Sequence, residues 1–264
     1  MTLAARALGF GFRDRLVGRG FEGHFDGREI TCLLGPNGSG KTTLLRTLLG
    51  VLPAREGEVR LDDQPLASFT ARHRARRIAY VPQAAESYFE FTVRELVEMG
   101  RTAHGGLFAQ PGRADREAAE RSLDRLGIAS LAGRPLDRLS GGERQLALIA
   151  RALASEAPTL VMDEPTANLD FANQSRVLDE IAKLRDGGCT ILFTTHHPDH
   201  ALRIADRAIL LRAGAAIANG ATGVAVDSAN LSALYGRPVE VVDVALPGAG
   251  VARVCLAMGC ARFD

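Results

Sequence analysis

The sequence predicts an α/β fold, a mainly parallel sheet covered by helices with a helical lobe inserted in it. Three observations carry that prediction. Short apolar runs at Arg28 to Leu34, Thr159 to Met162, Cys189 to Thr194 and Ala208 to Leu211 alternate with stretches of helical spacing. The first run enters a glycine-rich turn, Gly35-Pro36-Asn37-Gly38-Ser39-Gly40-Lys41-Thr42, from which an apolar-periodic helix leaves. From Ala84 to about Leu153 the spacing turns mostly helical, an insertion that accounts for the length of a 264-residue chain.

In chain order, Arg28 to Leu34 reads as a strand and Thr43 to Leu52 as a helix. A turn at Pro53 to Gly57 leads to a short strand, Glu58 to Leu61, and Arg77 to Pro82 reads as another. Within the lobe Thr92 is placed to cap Val93 to Met99, with Glu95 where a capping box requires an acid. Ala103 to Gly112 reads as a loop and Arg113 to Leu126 as an amphipathic helix. After the strand ending at Asp163, Asn173 to Arg185 reads as a helix. Beyond Gly220 the pattern weakens: Asn230 to Tyr235 reads as a short helix, and Val239 to Ala245 with Val251 to Ala257 as either a terminal hairpin or an extended tail.

Apolar residues make up 46% of the chain, enough for a packed core, while 32 basic against 31 acidic side chains leave a net charge of +1. So even a balance argues against nucleic acid or an anionic membrane as a main partner. The cysteines Cys32, Cys189, Cys255 and Cys260 show no CxxC spacing and no histidine at metal-site intervals. Cys32 and Cys189 sit in apolar runs and read as small buried hydrophobes, suited to a reducing cytosol. No apolar run approaches the roughly 18 to 20 residues that cross a bilayer as a helix. The start, Met1 to Arg6, lacks the pattern of an export signal, so membrane association is expected only through another subunit.

The chemistry is concentrated in two segments. Gly35-x4-Gly40-Lys41-Thr42 between a strand and a helix is a complete phosphate-binding loop, its glycines letting backbone N–H groups turn toward a β-phosphate. Lys41 is placed to reach the β and γ oxygens, and the Thr42 hydroxyl to ligate Mg²⁺. Thr159 to Glu164, a hydrophobic strand ending in two carboxylates, puts Asp163 beside the Mg²⁺ shell and Glu164 near the γ-phosphate, where it can orient or deprotonate water. Together they point to hydrolysis of a nucleoside triphosphate. His196 follows the strand Ile191 to Thr195 at the carboxyl edge where open α/β sheets bind ligands, and reads as a donor to a phosphoryl oxygen. His197 and His200 lie past the strand and read as surface groups; a metal site of His196, His197 and His200 is possible on spacing alone. Gln83 ends a strand at the junction of core and lobe, where its amide can meet Mg²⁺ or water.

These motifs, in this order, resemble the ATP-binding cassette ATPases over nearly the whole chain. Gly35 to Thr43 is similar to the family's Walker A loop, Gln83 to its Q-loop and Leu139-Ser140-Gly141-Gly142-Glu143-Arg144-Gln145 to its signature motif. Leu160 to Glu164 is similar to Walker B, Asn168-Leu169-Asp170 to the D-loop and His196 to the switch histidine. The resemblance implies a P-loop NTPase core with an N-terminal antiparallel strand region, and ATP with Mg²⁺ held by Thr42, Gln83 and Asp163. It implies one nucleotide-binding domain, 1–264, with a core at 1–83 and 154–222, a signature-bearing lobe at 84–153 and an extension at 223–264. Phe12 would stack on adenine, with Phe10 and a core role as alternatives. Two copies would join head to tail, each ATP lying between one chain's Walker A loop and the other's signature, where Ser140, Gly141 and Gly142 hold the γ-phosphate and Asp170 lies nearby. The implied partners are a transmembrane permease dimer, received beside Gln83, and a periplasmic or extracellular substrate-binding protein acting through it. The chain is thus expected peripherally, on the cytoplasmic face of the inner (plasma) membrane.

Phe91 to Arg101 and Leu169 to Gln174 resemble the importers of metal chelates. Within that branch Val81-Pro82-Gln83 leading to Phe89, Leu146 to Glu156, Phe193 to Pro198 and Asn230 to Tyr235 are most similar to molybdate/tungstate-type importers. Molybdate or tungstate import is therefore slightly favoured over siderophore, haem or cobalamin. An exporter motor and a non-transport scaffold driven by nucleotide-dependent dimerisation are the alternatives from other classes.

Overall fold

A computed structural model describes residues 2–83, 91–105, 110–246 and 250–258. Phe89 and Cys260 lie outside the described residues. The chain opens with β1 (Leu3–Phe12) and β2 (Arg15–Phe25), paired antiparallel. Next come β3 (Ile30–Leu34), α1 (Lys41–Leu48), β4 (Glu56–Leu61), β5 (Gln64–Pro65), α2 (Ala71–Ala75) and β6 (Ile78–Val81). The lobe carries α3 (Val93–Glu98), α4 (Arg113–Arg125) and α5 (Gly141–Ala154). The core resumes with β7 (Thr159–Met162), α6 (Phe171–Asp186), β8 (Thr190–Thr195), α7 (Pro198–Ile204), β9 (Arg207–Arg212) and β10 (Ala215–Ala221). The chain closes with α8 (Thr222–Ala225), α9 (Ser228–Tyr235), β11 (Val239–Leu246) and β12 (Gly250–Ala257).

The main sheet has the order β10-β9-β3-β8-β7-β6, parallel from β9 to β6 with β10 antiparallel at one edge. A second, antiparallel sheet of order β2-β1-β4-β5 packs beside it, the expected N-terminal strand region. Side chains alternate between two cores along each central strand. Cys32, Leu160, Met162, Ile191 and Phe193 face the helices α5 and α6 and the lobe. Leu33, Val161, Leu192 and Ile209 face α1 and the N-terminal sheet, where Leu44, Leu45 and Leu48 meet Phe10, Phe21 and Phe25. Both faces being covered, the strands read as nearly continuous apolar runs, which is why they were visible in the sequence.

Several boundaries differ from the sequence expectation for local reasons. The strand begins at Ile30, not Arg28, because Gly27 (φ 72°) and Arg28 (φ 61°) form a left-handed turn before it. The loop helix starts at Lys41, directly after the left-handed Gly40 (φ 104°), and stops at Leu48, where Val51 N–H and Leu52 N–H both fold back to the Arg46 carbonyl. α6 begins at Phe171 because Asp170 caps it, its Oδ1 accepting from Asn173 N–H at 2.8 Å. The Thr92 and Glu95 capping box forms as expected, Glu95 accepting Thr92 N–H at 2.7 Å and held below the ordinary carboxylate range by it. Of the two possibilities for the last segment, β11 and β12 form the hairpin, in register from Val239 opposite Ala257 to Leu246 opposite Gly250.

Candidate functional site

Strand order assembles the site. β3, β8, β7 and β6 are neighbours, so the segments leaving their carboxyl ends converge although together they span more than a hundred residues of sequence. The phosphate-type loop leaves β3, His196 leaves β8, Asp163 and Glu164 leave β7 and Gln83 follows β6. Backbone bonds lock the edge: Gly35 N–H donates to the Thr195 carbonyl at 3.2 Å and Asp163 N–H to the Val81 carbonyl at 2.9 Å.

Within the loop, Gly38 (φ 78°) and Gly40 (φ 104°) occupy left-handed conformations that a side chain would strain. Ser39 is buried beneath it, whereas Asn37 and Gly38 are exposed. Lys41 folds back into the loop, its Nζ donating to the carbonyls of Gly35 (2.8 Å) and Pro36 (3.2 Å) and lying 3.2 Å from Glu164 Oε1. On the other side of the same carboxylate, His196 Nδ1 lies 3.3 Å from Oε2. Glu164 adopts φ 45°, a left-handed conformation rare for a side-chain-bearing residue, and this sharp exit from β7 brings its carboxylate to both Lys41 and His196. Thr194 holds that turn: its Oγ1 accepts from Glu164 N–H at 2.8 Å and donates to Asp163 Oδ1 at 2.8 Å.

A cleft of about 540 Å³ opens at this point, lined by Arg15, Val17, Asn37, Gly38, Gly40, Lys41, Thr42, Thr43, Gln83 and Glu164. Thr42 at the cleft and Asp163 beside it suit a hard cation. Asp163 Oδ2 carries only the long 3.5 Å contact from the Tyr80 hydroxyl and keeps lone pairs for such an ion. Among the described residues no group of three His, Cys, Asp or Glu is placed to hold a metal by itself. That fits an ion such as Mg²⁺, which takes a carboxylate or two and completes its shell with phosphate and water.

Not every anticipated residue enters the cleft. Phe10 is fully buried against Phe21, its ring edge-on at 6.4 Å, so the core claims it; Phe12 is half exposed at the strand end. Ser140 is exposed at the start of α5, which it caps with Glu143, accepting Glu143 N–H at 3.3 Å while Glu143 accepts Ser140 N–H at 2.8 Å. Gly141 is exposed and Gly142 buried, and a Cβ on Gly142 would meet Asn173 Oδ1 at 2.4 Å, so glycine there permits α5 to approach α6. Asp170 spends its carboxylate on capping α6. The signature-like and D-loop-like segments thus meet each other at two helix starts, and neither lines the cleft.

One expectation is corrected. His200, read from sequence as a surface group, is buried: α7 turns it inward, and Nδ1 lies 3.2 Å from Thr195 Oγ1 and 3.3 Å from Thr166 Oγ1. Burial, then the neighbouring His197 and His196, push its pKa down to about 4. His197 is exposed as expected, its ring lying between the other two at centroid distances of 4.1 and 4.9 Å and tilted to them by 41° and 50°. Sequence reasoning also missed Arg15 and Val17, which lie in an unremarkable β-strand, and Thr194. For Thr194 there was a signal: adjacent hydroxyls, Thr194 and Thr195, at the end of an otherwise apolar strand. Cys32 is buried as expected, and burial raises its thiol pKa, whereas Cys189 and Cys255 are half-buried free thiols.

A family model described as ABC transporter matches residues 19–167. The chain is 35% identical over 244 residues to a probable iron chelatin transport ATP-binding protein of Helicobacter pylori, covering 92% of this chain and 96% of that one. It is 39% identical over 212 residues to a molybdate import ATP-binding protein of Haemophilus influenzae, covering 80% and 78%. Among solved structures, a metal-chelate type ABC transporter in an inward-facing conformation superposes with a TM-score of 0.88 at 33% identity, covering 98% of both chains.

Proposed function

The chain belongs to the ATP-hydrolysing subunits of ABC transporters, and from that premise we propose that it powers import of a metal chelate or metal oxyanion through a membrane permease. The observation that carries the chemistry is the convergence of Lys41 and His196 on the two oxygens of Glu164, at 3.2 and 3.3 Å, at the mouth of the phosphate-type loop. In this reading the backbone N–H groups of Gly38 and of Gly40 to Thr43, together with the Lys41 ammonium, bind the β- and γ-phosphates. Glu164 orients a water and takes its proton as the water attacks the γ-phosphorus. His196 donates to a γ-phosphoryl oxygen. Bound between Thr42 and Asp163, with Gln83 alongside, Mg²⁺ would offset charge on the phosphates. Phe12, at the strand end, is the side chain for adenine.

The second half of the site is assigned to a second copy of the chain in head-to-tail arrangement. The Ser140 hydroxyl accepts within its own capping box and retains its proton to donate to a γ-phosphate, alongside Gly141 and Gly142 N–H at the start of α5. Asp170, at the neighbouring helix start, lies on the same joining face.

A permease dimer receives the force beside Gln83, and a substrate-binding protein delivers cargo to it; both assignments draw on the transport functions named for the relatives. No helix among the described residues is long and apolar enough to cross a membrane. As the ATP-hydrolysing subunit of such an importer, the chain would work peripherally on the cytoplasmic face. The phrases around Gln83, Leu146 to Glu156 and Phe193 to Pro198 favour molybdate or tungstate as cargo. An iron chelate or haem is the second reading, carried by the relative named for iron chelatin transport.

Glu164→Gln is expected to lower ATP turnover at least about a hundredfold while nucleotide affinity persists; normal steady-state turnover of that variant refutes the assignment of Glu164. For cargo, the complex with its permease is tested for ATPase stimulation by a binding protein loaded with molybdate, haem or siderophore. Stimulation by molybdate alone supports the first reading, and by haem or siderophore alone the second.

A further inference from the structure

We infer that Tyr235, in the C-terminal extension, is a positioning residue for His196. It donates its hydroxyl to the His196 carbonyl at 2.8 Å, and so fixes the peptide from which the imidazole is aimed at Glu164. This inference rests on the proposed part of His196 in hydrolysis and deepens it.

The segment between the end of β8 at Thr195 and the start of α7 at Pro198 is only two residues long, His196 and His197. Both polar ends of the peptide joining them are occupied. Its carbonyl accepts from Tyr235, and its N–H, that of His197, donates to Thr195 Oγ1 at 3.1 Å. A peptide unit is planar and rigid, so pinning both ends removes the backbone rotations on either side of it. What remains free at His196 is the side chain, whose Nδ1 stands 3.3 Å from Glu164 Oε2. Without the Tyr235 bond, the carbonyl end is released and the imidazole can swing with its backbone.

Tyr235 is itself held. α9 is capped at its start by Asp227, which accepts Asn230 N–H at 2.7 Å, and ends in the left-handed Gly236 (φ 67°) directly after the tyrosine. Leu231 and Leu234 anchor the helix in the core. Ser232 Oγ accepts Val239 N–H at 2.9 Å, tying α9 to the hairpin. The hairpin returns to the same loop from the other side, Cys255 N–H donating to Asp199 Oδ1 at 2.9 Å in the first turn of α7. Burial of the phenol raises its pKa, so the hydroxyl remains a donor throughout the physiological range.

The test is a double-mutant cycle on steady-state ATP hydrolysis by the full chain. Tyr235→Phe keeps the ring and deletes only the donor. It is expected to lower kcat about fivefold, the worth of one neutral hydrogen bond expressed in the transition state, with KM for ATP unchanged. In a His196→Ala background the same substitution is expected to cost nothing further. A tyrosine that merely stabilised the fold would lower kcat equally in both backgrounds or shift KM with it, and either result overturns the inference. If His196→Ala lowers turnover to a measurable residual rate while Tyr235→Phe keeps wild-type kcat, the inference alone fails. If His196→Ala hydrolyses like wild type, it fails together with the reading on which it stands.

Discussion

The cleft and the signature segment are built to opposite plans. At the cleft, Lys41 and His196 each already approach one oxygen of Glu164, and Thr194 ties Glu164 to Asp163 through two 2.8 Å hydrogen bonds. Around Ser140 the polar groups are satisfied locally by a capping box, with Arg134 3.1 Å from Glu143, and the segment presents an exposed helix start to solvent. One region is a finished constellation of side chains; the other is a finished helix terminus without a ligand from its own chain. The contrast teaches that the cleft takes no residue from its own chain's signature-like segment; on the proposed reading, that segment serves a second copy.

Substitutions that attack each region should therefore behave differently. The largest effect is expected at Thr194→Val, a nearly isosteric change that strands Asp163 Oδ1 and Glu164 N–H in a buried place. It should cost roughly 2 to 4 kcal/mol of stability by denaturant unfolding, together with most of the turnover. A loss below about 1 kcal/mol would mean that the cleft is not held by this hydroxyl.

Next in size is an effect of pH. His200, depressed to about 4 in the folded chain, binds a proton more readily when unfolded, where its value is 6.5. Its neutral form is fully accommodated above pH 6.5, and stability drains away as pH falls from there toward 4, by up to about 3 kcal/mol. Unfolding free energies measured from pH 7 to 4 should show that slope in wild type and lose it in His200→Asn; an unchanged slope would separate His200 from the switch loop.

The smallest effect belongs to the signature segment. Ser140→Ala should cost about 1 kcal/mol, the worth of an N-cap, and Ser140→Asp almost nothing because aspartate caps equally well. A larger cost in the isolated chain would show that Ser140 does more within its own subunit than end a helix.

What was legible in the sequence was whatever a short contiguous run encodes. The loop glycines with Lys41 and Thr42, the acids ending Thr159 to Glu164, and the Thr92 and Glu95 cap each carry their meaning within a few residues. The apolar strands were visible because both sheet faces are covered. What was hidden depends on strand order, which no single segment states. Thr194 matters because β8 lies beside β7, and Tyr235 because α9 returns to the end of β8. His200 was misread because position past a strand says nothing of which way α7 turns its side chain. Phe10 and Phe12 are two residues apart and point to the same sheet face by period, yet irregular pairing along β1, with register shifts between Leu8, Phe10 and Gly11, separates a core ring from a half-exposed one.

The central claim is that Ser140 of one copy serves the nucleotide held by Lys41, Asp163 and Glu164 of another. The direct measurement is sedimentation of Glu164→Gln and of Glu164→Gln combined with Ser140→Asp, each with saturating Mg-ATP. The aspartate preserves the helix cap but sets a negative charge against the phosphates. The account predicts a dimer for the first protein and a monomer for the second, both binding ATP with equal affinity. A dimer in both, or weakened ATP binding by isolated monomers of the second, would contradict it.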